Sequence, residues 1–82
     1  MHQVSFGTNK EARDKAYSIL LKAGCKSRRW TLRNQMLYGQ YVRAIYFCDV
    51  YDECPVEVYE QIYQLSNIAE KDLPTAPNLG GD

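Results

Sequence analysis

The chain carries one histidine, His2, and three cysteines, Cys25, Cys48 and Cys54, none of them in a C-x-x-C pair. A closed tetrahedral zinc site takes four ligands, and three scattered thiols with one imidazole beside the terminus form no recognisable set. No metal is therefore expected, and the thiols read as small apolar side chains kept free in a reducing compartment. A Ser–His or Cys–His nucleophile would have to be built on His2 at a fraying end, so no catalytic residue is assigned and no enzyme is expected. Neither G-x-G-x-x-G nor G-x-x-x-x-G-K-[ST] occurs, which removes the phosphate-cradling loops and leaves no cofactor expected. The longest purely apolar run, Ala44 to Cys48, is far short of the ~20 residues of a membrane span. Met1-His2-Gln3 opens no basic and then apolar leader, so a cytoplasmic protein away from membranes is expected.

What is present is an ordinary globular composition. The 82 residues suit one small domain, and 45% apolar with 24% charged residues is neither disordered nor fibrous. The ten Lys/Arg balance the ten Asp/Glu, but not evenly along the chain. Nine bases and two acids precede Asp49, and eight acids with one base, Lys71, follow from it. Charge asymmetry between halves points to an interaction surface if folding keeps the halves apart.

Thr8-Asn9-Lys10-Glu11 has the form of a capping box with Thr8 as the cap. Ala12, Ala16, Ile19, Leu20 and Ala23 follow at helical spacing, while Lys10, Arg13, Asp14 and Lys22 fall mostly outside that stripe. Gly24 suits the left-handed position that ends a helix, so residues 9–23 are predicted helical. Ahead of them, residues 3–6 alternate as a short strand with Val4 and Phe6 on one side. Residues 26–33 and 40–48 are rich in aromatic and β-branched side chains and read as a hairpin turning near Gly39, with residues 34–40 a loop that is partly strand. Pro55 at the first helical position, with acids near it, predicts a second helix over residues 55–69 whose buried stripe is Val58, Tyr59, Ile62, Leu65 and Ala69. Residues 71–82 hold Pro74, Pro77, Gly80 and Gly81 and read as a disordered tail after a single domain over residues 1–70.

The fold class expected is α+β, a small two-layer domain of β-α-β-β-α order with two helices on one face of an antiparallel sheet. Its topology resembles a ferredoxin-like unit that lacks its last strand. Topology of this kind confers no function by itself.

The acidic run Asp49-Val50-Tyr51-Asp52-Glu53 is the one place where hard oxygen ligands for Mg²⁺ or Mn²⁺ gather, although capping and solvating the second helix explains the same residues. The basic hairpin carries more. With Trp30 and Leu32 turned to the core beside Val42, Ala44, Tyr46 and Cys48, the residues Arg29, Thr31 and Arg33 would share the open face with Tyr41, Arg43, Ile45 and Phe47. A one-residue slip exchanges the faces, and Arg43 would then need a partner such as Asp49 or Glu53. Rings for bases to stack on and guanidinium groups for phosphates are the logic of single-strand recognition, although no RNP signature is present and the pI of 6.6 is low for such a role.

The first expectation is therefore a non-enzymatic binder of RNA or single-stranded nucleic acid using Lys26, Arg28, Arg29, Arg33, Tyr41, Arg43 and Phe47. The alternative is a small regulatory or inhibitory protein, phage- or plasmid-borne by its size, that docks on a host protein. Seven tyrosines exceed what so small a core can bury and favour a contact surface, including a homodimer in which one basic half meets the other acidic half.

Overall fold

A computed structural model describes residues 1–71. The expected tail over residues 71–82 lies, beyond Lys71, outside the described residues. The elements are β1 (His2–Ser5), α1 (Lys10–Lys22), β2 (Ser27–Leu37), β3 (Gln40–Val50) and α2 (Val56–Glu70). The three strands form an antiparallel sheet in the order β1-β3-β2, with both helices on one face. The β-α-β-β-α order is the expected one, and β3 in the middle is where a ferredoxin-like unit without its last strand would have it.

Both helices and β1 end within a residue of their expected bounds, while β2 and β3 run on past theirs, and the differences have local causes. The cap of α1 is Asn9 rather than Thr8: Asn9 Oδ1 accepts from the Ala12 amide at 3.0 Å from an extended backbone. The other end is closed as expected by Gly24 at φ 77°. Gly24 N–H donates to the Leu21 carbonyl and Cys25 N–H to that of Leu20, each at 3.0 Å, which is the paired bonding of a Schellman motif. Pro55 is the residue before α2 and not its first turn, at φ −58° and ψ 144°, and its carbonyl accepts from Val58 and Tyr59. The hairpin turn is only Tyr38-Gly39, both at positive φ (49° and 80°), so the strands run longer than expected and absorb most of residues 34–40.

The core lies between the sheet and the helices. Val4, Phe6, Cys48 and Val50 from the sheet side meet Ala16, Leu20, Ile62 and Ala69. Burying such side chains is the main stabilising term for a domain this small, about 1.5 to 3 kcal/mol each for the larger ones. Two residues depart from the expected stripes. Ala23 is exposed, and Arg13 is buried at 5% relative exposure. Arg13 is admitted because its charge is met on several sides: Nε donates to Asp14 at 2.8 Å, Nη1 donates to the Trp30 carbonyl at 3.2 Å, and the guanidinium lies 5.1 Å from the Tyr46 ring centroid.

The two helices divide the sheet between them. α1 packs on β2 and β3, whereas α2 packs beside α1 and on β1.

Candidate functional site

A strand alternates its side chains between the two faces, and residues opposite each other in an antiparallel pair share one. Cys48 and Val50 are in the core, so the even-numbered residues of β3 face the helices and the odd-numbered ones face away. Tyr41, Arg43, Ile45 and Phe47 are thus on the open face, as expected. The expectation for β2 is reversed. Arg29 is opposite Cys48, Thr31 opposite Tyr46 and Arg33 opposite Ala44, which puts them on the helix side, while Trp30 is opposite Phe47 and Leu32 opposite Ile45 on the open side.

The reason is the turn. A two-residue turn at Tyr38-Gly39 sets Leu37 opposite Gln40, so every even-numbered residue of β2 meets an odd-numbered residue of β3. Grouping Trp30 and Leu32 with Val42, Ala44, Tyr46 and Cys48 would require a turn one residue shorter or longer. Arg29 on the helix side is accommodated by α1. Its Nη1 is 3.5 Å from Asp14 Oδ1, and its guanidinium lies 5.0 Å from the Tyr17 ring centroid.

Three apolar cross-strand pairs consequently run along the uncovered face: Trp30 with Phe47, Leu32 with Ile45, and Met36 with Tyr41. No helix lies over them among the described residues. Leu32, Met36 and Tyr41 are 39%, 65% and 62% exposed, values that mark an unpacked strip, whereas Ile45 is shielded by its neighbours. The Trp30 and Phe47 rings are stacked, 4.2 Å between centroids and 7° between planes, and the Arg28 guanidinium lies 5.8 Å from the Trp30 centroid. Beneath them Asp49 is buried, accepting from Trp30 Nε1 at 2.8 Å and lying 3.5 Å from Arg28 Nε. Arg43 stands exposed on the same face and makes no ion pair among the described residues.

Of the seven residues singled out from the sequence, Arg28, Tyr41, Arg43 and Phe47 are together on this face. Arg29 and Arg33 are on the other, and Lys26 lies in the connection ahead of β2. Sequence reasoning missed Trp30, Leu32 and Met36 as members of the open strip. The turn length was the signal that places them.

The acidic run does not converge. Asp49 points to the open face, Val50 is in the core, and Asp52 accepts from the N-terminal ammonium of Met1 at 2.9 Å. That hydrogen bond and charge hold the Asp52 carboxyl below its usual range. Among the described residues no three His, Cys, Asp or Glu side chains gather in a metal-binding group. His2 is not frayed but paired opposite Val50, its ring 5.2 Å from that of Tyr59. No described helix is long and apolar enough to cross a membrane.

No family model, no curated protein and no solved structure matches this chain.

Proposed function

We propose that the protein is a non-enzymatic docking module that binds a partner protein through the open sheet face. The observation that carries the reading is the uncovered strip of three apolar cross-strand pairs, Trp30/Phe47, Leu32/Ile45 and Met36/Tyr41, with Arg28 beside the first pair and Arg43 between the second and the third. Exposed apolar side chains grouped on one uncovered face mark contact sites, with Trp, Tyr and Arg the side chains that most often dominate such contacts. The partner expected is an apolar patch flanked by carboxylates, since the face offers two arginines and a single acid, Asp49, that is already engaged. Two copies joined symmetrically through this face would bring arginine-bearing surfaces together without free carboxylates to meet them, which favours a different protein over a second copy.

Nucleic acid is the competing occupant. A base needs a free ring face, and the Trp30–Phe47 stack occupies one face of each ring while Arg28 also covers the indole. The arginines of β2 are moreover divided between the two faces, so they form no single track for a phosphate backbone.

The test is capture from nuclease-treated extract by the wild-type chain, by Leu32→Asp with Met36→Asp, and by Arg33→Asp on the helix side. The expected result is one protein species retained by wild type and Arg33→Asp and lost from the double variant. Capture that disappears with nuclease, together with salt-sensitive binding of labelled single-stranded RNA, would replace this reading with the nucleic-acid one.

A further inference from the structure

Cys25 and Cys54, 29 residues apart in sequence, come together on the helix side at the end of the domain where α1 stops and α2 starts. The Cys25 thiol donates to the Cys54 sulfur at 3.5 Å, and both residues are half-buried against the core. Neither approach depends on a loose loop. Cys25 is held by the Schellman motif that ends α1, its own N–H bonded to the Leu20 carbonyl, and Cys54 by a turn in which its N–H donates to the Tyr51 carbonyl at 3.0 Å just before Pro55. The sulfurs open onto a cleft of about 360 Å³ lined by Gly24, Lys26, Tyr51, Glu53 and Pro55. The third thiol, Cys48, is fully buried and its sulfur is directed at the Arg13 carbonyl.

We propose that Cys25 and Cys54 are a dithiol modification site that closes to an intramolecular disulfide by exchange with a small disulfide such as oxidised glutathione. In the first step one protein thiolate attacks a glutathione sulfur, the glutathione S–S bond breaks and one glutathione thiolate leaves. In the second the other protein thiolate attacks the mixed disulfide at the protein sulfur and expels the second glutathione. Two protein thiols give up two electrons and two protons, and one glutathione disulfide takes up both pairs to become two glutathione thiols. The sulfurs need to close by about 1.5 Å to reach a disulfide bond length. Burial, then the hydrogen bond and charge of Cys25, push the Cys54 thiol up to about 11, so its exchange accelerates as pH rises above neutrality. The bond would tie the α1–β2 connection to the start of α2 and leave the open sheet face untouched.

The experiment is equilibration of the full native chain with oxidised glutathione, followed by thiol titration, intact mass and non-reducing peptide mapping. Two of the three thiols are expected to disappear with no bound glutathione, in a peptide joining Cys25 to Cys54, and to return with dithiothreitol. Cys48→Ser should close in the same way, whereas Cys25→Ser and Cys54→Ser should stop at a mixed disulfide with glutathione. Three persisting thiols, a bond through Cys48, a bond between two chains, or closure only in denaturant would each overturn the proposal.

Discussion

Trp30 belongs both to the exposed strip and to the fold, and its bond to Asp49 allows the two roles to be separated. Trp30→Phe keeps a ring against Phe47 but removes the indole N–H that donates to Asp49 at 2.8 Å. The carboxylate is only 3% exposed, and its other charged neighbour is Arg28 at 3.5 Å, whose side chain is 67% exposed. A hydrogen bond to a charged acceptor contributes about 1.5 to 3 kcal/mol, and leaving a buried acceptor without its donor costs about 1 to 3 kcal/mol. Trp30→Phe should therefore lose about 2 kcal/mol, a large share of the roughly 4 to 12 kcal/mol available to a domain of this length. Removing the acceptor as well, in Trp30→Phe with Asp49→Ala, should recover part of that loss. The double variant should be more stable than the sum of the single effects implies, by at least about 1 kcal/mol. Urea melts of the four proteins at neutral pH provide the assay. Additivity within about 0.5 kcal/mol would refute the argument, because it would mean that the indole and the carboxylate do not interact.

Arg13→Ala should cost roughly 3 to 4 kcal/mol in the same melts, since it opens a hole and strips the Trp30 carbonyl of a donor, while Arg13→Met should cost clearly less by filling the space. Tyr38→Asn should stabilise the protein by roughly 0.5 to 1 kcal/mol, because position 38 is held at φ 49°, where asparagine is at home and tyrosine is strained. Burial pushes the Asp14 carboxyl up, but the Arg13 hydrogen bond and charge, with Lys10 and Arg29, outweigh it and hold the group below its ordinary value of 3.8. A lowered carboxyl stabilises above its unfolded value and ceases to do so as pH falls through the folded one, so wild type should lose more stability on acidification from pH 5 to about pH 3 than Asp14→Asn does.

Much of the fold was legible because its signals are local. The helical spacing of Ala12, Ala16, Ile19 and Leu20, the glycine at position 24 and the proline at position 55 each act within a turn or two of chain. The division of β3 was legible for the same reason. Apolarity alone misplaces β2, because an apolar side chain on a strand is not thereby a buried one. The sheet has two apolar faces, Val42, Ala44 and Cys48 on one and Ile45 and Phe47 on the other, and only the length of the turn decides which of them receives Trp30. Arg13 was misplaced because a burial that depends on Asp14, Tyr46 and the Trp30 carbonyl is a tertiary arrangement that helical periodicity cannot register. The approach of Cys25 to Cys54 was likewise invisible, since it requires the ends of α1 and β3 to meet in space.

The direct test of the docking face is photocrosslinking from single positions on opposite sides of the same strand. A benzophenone side chain at position 36 stands on the open face, and one at position 33 stands on the helix side, both at exposed sites. Irradiation in nuclease-treated extract is expected to give a discrete protein adduct from position 36 and none from position 33. Equal adducts from both positions, or adducts to nucleic acid alone in untreated extract, would contradict the account.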